Sequence, residues 1–111
     1  MRVQLCNAFS LNMLSNEQEV LLKIRKVSLE EVKSLLASAS SIESAIGHMS
    51  TARVLSILLG QEVPMNRVEV KLNDQLLVIF QLKTRLEEGK ILSESEILNL
   101  PFDFYVVEKC K

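Results

Sequence analysis

Alternation of apolar and polar residues marks the candidate strands of this chain. Val3 and Leu5 alternate with polar neighbours, and residues 19–27 (EVLLKIRKV) are rich in apolar and β-branched side chains. Such segments are typical of β-strands. Further segments of this kind are residues 67–72, 75–82 and 102–108. Only Asn73 and Asp74 separate the first two of these, so we predict a β-hairpin there, although its turn lacks glycine.

Three segments carry helical patterns, at residues 29–37, 51–59 and 93–100. Ser28 and Glu31 have the spacing of a capping box, which opens the first helix. Gly60 follows the apolar stripe of the second helix and is expected to end it. Ser93 is a suitable N-cap for the third helix, and Pro101 closes that segment.

The predicted order is β-β-α-α-β-β-α-β. Helices of this length bury their apolar stripes best against a sheet, so we expect an α/β fold with a roughly five-stranded mixed sheet flanked by helices. With 111 residues the chain is long enough for one core, and we predict a single domain over residues 1–111. A sheet of this size leaves an edge or face exposed, and pairing of two copies in a homodimer would cover it.

The charge balance argues against binding of long nucleic acid. The net charge is −1 and the pI is about 5.9. Proteins that coat nucleic acid usually carry a basic excess, because neutralised phosphates supply most of the affinity. We therefore expect a small anionic ligand, held by a few Arg or Lys, rather than a duplex.

The cysteines and the apolar segments bound the cellular context. Cys6 and Cys110 lie near opposite ends of the chain, and either a disulfide or two buried thiols would fit, of which we favour the thiols. Neither cysteine has a second ligand at metal spacing, which argues against zinc. No run approaches the roughly 18 apolar residues of a membrane span. The first fourteen residues lack a cleavage signal, so we expect a soluble, unprocessed protein.

His48, the only histidine, is the first candidate for chemistry. It follows Gly47 and precedes a predicted helix, where free backbone N–H groups and the helix dipole favour an anion. Gly47 would let a ligand approach the backbone closely. An imidazole at this place could protonate a phosphate leaving group. The alternative is a solvent-facing histidine that only begins a helix.

Arginine and polar residues near strand ends are further candidates. Arg67 would open one strand and Arg85 would follow another, and guanidinium groups suit phosphate binding. Glu87 and Glu88 could supply a base or anchor a loop, while Asn7, Ser10 and Asn12 could hydrogen-bond a ribose or a base edge. For each of these residues a surface or turn role is the alternative.

Several short blocks, taken in order, resemble the viral ring nucleases, small anti-CRISPR proteins of archaeal viruses and phages. The blocks are Asn7–Leu14 (NAFSLNML), Ser44–His48 (SAIGH), Thr51-Ala52, Leu58-Leu59-Gly60, Val63-Pro64, Asn66-Arg67, Gln81-Leu82, Arg85-Leu86 and Glu88-Gly89. They span nearly the whole chain at similar spacing.

The resemblance implies a metal-independent nuclease without a cofactor. In that family a homodimer in the host cytoplasm binds cyclic tetra-adenylate, the second messenger of type III CRISPR defence, and cleaves it to linear di-adenylates. His48 would be the general acid, with Glu88 and Arg85 also catalytic. The implied ligand-binding residues are Asn7, Ser10, Gly47, Ser50, Arg67 and Gln81. Residues 85–92 would form a mobile loop that closes over the ligand, and Glu87 stands where the family pattern leads us to expect proline.

Two alternatives stay open from the residues alone. The first is a non-catalytic viral regulator that grips DNA as a dimer, which predicts salt-dependent duplex binding. The second is a protein–protein adaptor, in which replacement of His48 changes nothing.

Overall fold

In the computed structural model, which describes residues 1–86 and 91–110, local signals set the helix ends. Ser28 Oγ accepts the N–H of Glu31 at 3.1 Å, and the Glu31 carboxylate accepts that of Ser28 at 3.1 Å. Ser93 and Glu96 form the same capping box. Gly60 follows the second helix with a φ of 70°, in the left-handed region that glycine adopts without strain. The helices that the described residues contain are α1 (Leu29–Ser38), α2 (Met49–Leu59) and α3 (Glu94–Leu98).

The described residues form one five-stranded mixed sheet, as predicted. Its strands are β1 (Arg2–Cys6), β2 (Leu22–Val27), β3 (Ser41–Ala45), β4 (Leu76–Leu82) and β5 (Phe102–Lys109). Their spatial order is β2-β5-β4-β1-β3. β1 pairs in parallel with β3 and β4, whereas β5 runs antiparallel to β4 and β2. Strands β1 to β4 therefore all end at one edge of the sheet, which we call the carboxyl edge.

The helices pack on one face of the sheet and build the larger core. Val32 of α1, Leu55 of α2 and Ile97 of α3 are fully buried there. Strand side chains facing them include Val3, Leu5, Val78, Phe80, Phe104 and Val106. The result is a single compact domain with the helix layer on one side, which confirms the predicted fold class.

The predicted hairpin is wrong. β4 already has β1 on one side and β5 on the other, so no edge of β4 is free for residues 67–72. That segment instead crosses the second face of the sheet, where Val70 and Leu72 pack on Leu77 and Ile79. Apolar and polar residues alternate in this segment because it is extended and packs one side on the sheet. Such alternation does not require pairing with another strand.

The sequence pattern does not predict β3, because the residues of this strand are mostly polar. Ser41–Ala45 pairs with β1 along its whole length, and it lies at the edge of the sheet. An edge strand keeps one side in water and needs few apolar residues. Its pairing with β1, rather than its composition, makes this segment a strand.

The two cysteines are both free thiols. Cys6 is buried and Cys110 is exposed, so the predicted pair of buried thiols holds for Cys6 and is wrong for Cys110. Burial raises the pKa of the Cys6 thiol to about 12, with a smaller contribution from the charge of Glu43. Within the described ranges, no helix is long and apolar enough to cross a membrane.

Candidate functional site

Asn7 links the ends of two neighbouring parallel strands. It follows β1 directly, and its Oδ1 accepts the backbone N–H of Gly47, just beyond β3, at 3.2 Å. Asn7 is half-buried. The predicted ligand-binding residue therefore has a structural contact of its own, which fixes the backbone that leads into His48.

Hydrogen bonds along β3 hold Arg67 at the same place. Ser44 Oγ donates to the carbonyl of Pro64 at 2.5 Å, and the Asn66 side chain donates to the Ser44 carbonyl at 2.7 Å. The N–H of Asn66 donates to the Ile46 carbonyl at 2.8 Å. These contacts hold residues 64–66 beside the end of β3, and Arg67 follows this segment directly.

Arg67 lies over Gly47 instead of opening a strand, which corrects its predicted place. A Cβ on Gly47 would lie 3.5 Å from Arg67 Cγ and 3.8 Å from Arg67 Nε, which is ordinary contact. Gly47 does not adopt a positive φ. The space beside Gly47 is thus lined by the arginine stem, so a ligand there would meet Arg67 as well as the Gly47 backbone.

His48 is the N-cap of α2, but its side chain does not cap the helix. The backbone is extended, with φ −131° and ψ 133°, and the side chain makes no capping hydrogen bond. The residue is exposed. Because helices leave their first N–H groups without intrahelical partners, this end of α2 is suited to an anion, and the imidazole stands at its start.

Gln81 and Arg85 lie at the same edge of the sheet, on β4 and just beyond it. Gln81 is exposed, and it pairs with Asp103 across to β5. Arg85 is exposed and lines a cleft of about 390 Å³ between the end of β4 and α3. Leu86, Leu92, Glu96 and Asn99 also line this cleft. Arg85 therefore lies at a cleft that has both apolar and polar walls.

Two further predicted ligand-binding residues, Ser10 and Ser50, are both exposed. Ser10 is the exposed N-cap of the 3-10 turn Leu11–Met13, without a side-chain capping bond. Ser50 is exposed in the first turn of α2. Glu87 and Glu88, and with them half of the loop at residues 85–92 that was predicted to close over the ligand, lie outside the described residues.

The carboxyl edge carries basic groups that the described part of the fold does not neutralise. Over residues 1–86 and 91–110, neither Arg67 nor Arg85 takes part in an ion pair. In the same ranges, no three His, Cys, Asp or Glu side chains come together as a metal-binding group. The arrangement can therefore bind an anionic ligand through guanidinium and amide groups and offer it one imidazole.

Asn66 contributes to the site although the sequence pattern does not single it out. The dipeptide Asn66-Arg67 is one of the blocks that resemble the viral ring nucleases, and only its arginine has a predicted role. Asn66 bonds to the end of β3 through both its side chain and its backbone and so sets where Arg67 lies. An amide side chain directly before a candidate arginine was the available signal.

Fold and site together define a small α/β protein with hydrogen-bonding and basic side chains gathered at the carboxyl edge of a mixed sheet. The sequence profile of the STIV B116-like family matches residues 3–104 of this chain. The chain belongs to that family.

Individual relatives agree with this assignment. The solved structure of B116 of Sulfolobus turreted icosahedral virus (STIV) is similar at a TM-score of 0.84 and 37% identity, over 97% of this chain and 99% of that chain. Uncharacterized protein 26 of Sulfolobus islandicus filamentous virus is 42% identical over 73% of this chain and 69% of its own length. Uncharacterized protein YddF of Bacillus subtilis is 32% identical over 78% of this chain and 82% of its own length. The expected kinship with archaeal virus proteins is confirmed.

Proposed function

We propose that this protein is a ring nuclease that cleaves cyclic tetra-adenylate without a metal ion and thereby acts as an anti-CRISPR protein in the host cytoplasm. The observation that carries the proposal is His48, an exposed imidazole at the start of α2 that makes no capping bond. It adjoins Gly47, where Asn7 and Arg67 converge. The identity of the substrate is inferred from the resemblance of the sequence blocks to the viral ring nucleases.

The reaction uses the substrate's own nucleophile. The ribose 2′-oxygen attacks the adjacent phosphorus, the bond from phosphorus to the 5′-oxygen breaks, and a cyclic 2′,3′-phosphate forms. His48 gives a proton to the departing 5′-oxygen, and the 2′-hydroxyl proton passes to a base, a role that the resemblance gives to Glu88. General acid catalysis of this kind contributes about 10²- to 10⁴-fold in rate. Two cuts on opposite sides of the ring give two linear di-adenylates.

Positioning of the ring supplies the rest of the acceleration. Arg67 and Arg85 are exposed and, among the described residues, free of ion pairs, so their charges are available to phosphates. Asn7, Ser10, Gly47, Ser50 and Gln81 supply the hydrogen bonds that the resemblance implies. Holding the 2′-oxygen in line with the leaving group lowers the entropic part of the barrier.

A homodimer fits the symmetry of this substrate. A ring of repeating nucleotides presents equivalent phosphates on opposite sides, and a two-fold axis would present one His48 to each of two. The sheet also carries an apolar side chain that one copy leaves in water, Ile24 on β2, which is 55% exposed. A partner that contacts Ile24 would remove this side chain from solvent.

Incubation of the purified protein with cyclic tetra-adenylate and EDTA tests the proposal. We expect linear di-adenylates with cyclic 2′,3′-phosphate ends, as seen by chromatography and mass spectrometry. His48→Ala should remove the activity, whereas Lys33→Ala, at an exposed position of α1, should keep it. Intact substrate with the unmodified protein, or full activity in His48→Ala, would refute the proposal.

A further inference from the structure

Two lysines share one carboxylate beside Gln81. Lys83 Nζ lies 3.0 Å from Asp103 Oδ2, and Lys26 Nζ lies 3.3 Å from Asp103 Oδ1. The Asp103 side chain is only 12% exposed, while those of Lys26 and Lys83 are 61% and 50% exposed. Hydrogen bonding to Lys83, and secondarily to Lys26, lowers the pKa of Asp103, so the carboxylate is ionised at neutral pH. Two cations and one anion leave this cluster with a net positive charge.

The cluster lies on the second face of the sheet, at the carboxyl edge. Gln81 and Asp103 are direct partners across β4 and β5, and such partners point to the same face. Lys26 pairs with Tyr105, two residues along β5, and Tyr105 packs with the second-face core. Lys26 comes near the end of β2 and Lys83 directly follows β4. The lysines thus share an edge with Asn7, Gly47 and His48.

A purely structural role does not account for the excess charge. One lysine suffices to neutralise the single charge of Asp103, so the charge balance of this carboxylate does not require the second lysine. The second ammonium group adds a positive charge that no other described carboxylate balances within ion-pair distance. Both ammonium groups are exposed to solvent, and Gln81, the exposed partner of Asp103 on β4, lies on the same face of the sheet.

We propose that Lys26 and Lys83 form a phosphate-binding site, which holds a phosphate of the cyclic oligonucleotide while Gln81 contacts the adjoining nucleotide. This inference rests on the proposed function, and it extends the binding surface from β3 and α2 across the sheet to β2 and β5. The site requires only charge at these two positions, because an ammonium group binds phosphate as a point charge.

Binding of cyclic tetra-adenylate to variants made in a His48→Ala background tests the site without turnover. Lys26→Gln and Lys83→Gln should each weaken binding about tenfold, as expected for loss of one charge-assisted hydrogen bond, and less at high salt. Lys83→Arg should stay within about threefold of the parent, since it keeps the charge. Lys23→Gln is the matched control, because Lys23 is exposed on the same strand and the alternation of β2 turns it to the opposite face. Thermal unfolding of each variant establishes that it is folded.

The outcomes separate this inference from the proposed function. Loss of affinity in both glutamine variants, with Lys23→Gln and Lys83→Arg unchanged, supports the site. A parent that binds and glutamine variants that bind equally well overturn the lysine site alone. A fall in affinity that tracks a fall in the melting temperature also overturns it. A parent that does not bind cyclic tetra-adenylate overturns both proposals.

Discussion

Replacement of His48 by serine changes the residue at the N-cap of α2 and separates a catalytic role from a structural one. The wild-type imidazole makes no capping hydrogen bond, although its backbone has the extended conformation of an N-cap, with φ −131° and ψ 133°. Serine is a preferred N-cap residue, and its hydroxyl can accept a backbone N–H from the first turn. The substitution therefore removes the proposed acid and improves the helix end.

The two effects have opposite signs and different sizes. Loss of a general acid lowers the rate about 10²- to 10⁴-fold, which corresponds to about 2.7–5.4 kcal/mol in the barrier. A new N-cap contributes about 0.5–1 kcal/mol to folding. In a domain of this size that gain raises the melting temperature by about 2–4 °C. The serine variant should be more stable and nearly inactive.

Two measurements on the same preparation check this pair of effects. Single-turnover cleavage of cyclic tetra-adenylate gives the chemical rate, and denaturant unfolding followed by circular dichroism gives the free energy of unfolding. His48→Ala serves as the reference, because it removes the imidazole without adding a cap. Wild-type cleavage by the serine variant would refute the acid role. A joint fall in activity and stability would show that His48 acts through the fold.

Three further predictions concern residues whose conformation or burial the structure defines. Gly60→Ala should lower the free energy of unfolding by about 1–2 kcal/mol, because φ at Gly60 is 70°. Gly47→Ala should change it by less than about 0.5 kcal/mol, because Gly47 has no positive φ and a Cβ there would make only ordinary contacts. Iodoacetamide at neutral pH should modify Cys110, which is exposed, and spare Cys6, because burial raises the pKa of the Cys6 thiol to about 12. Peptide mass spectrometry can identify the labelled cysteine. The pKa of Asp103 is lowered in the folded state, so its carboxylate should stabilise the fold fully above its unfolded pKa of about 3.9. This stabilisation should be lost as the pH falls through the folded-state pKa. In urea unfolding, the free energies of wild type and Asp103→Asn should therefore differ at pH 6 and converge in strong acid.

Each of these predictions has a contrary result. Equal losses at the two glycines would contradict the conformational argument for Gly60. Rapid labelling of Cys6 in the native protein would contradict its burial. A stability difference between wild type and Asp103→Asn that does not depend on pH would contradict the lowered pKa of Asp103.

Local signals in the sequence determined the helices and most strands. Ser28 and Glu31 identify the start of α1 because both partners of the capping box lie within one turn, and Gly60 identifies the end of α2 because its φ is costly for other residues. β2, β4 and β5 are rich in apolar and β-branched residues. These features depend on neighbours in the chain, so a pattern of a few residues suffices to predict them.

Tertiary structure decided the strand order, the role of residues 67–72 and the composition of the carboxyl edge. Polar β3 becomes a strand because β1 offers it a free side, and the predicted hairpin fails because β1 and β5 occupy both sides of β4. Arg67 meets Gly47, and Lys26 meets Asp103, only through pairings between distant segments. The sequence identified His48 as a candidate because it is the only histidine and precedes a predicted helix. Which charged groups lie with His48 at the carboxyl edge depends on long-range packing, which no local pattern encodes.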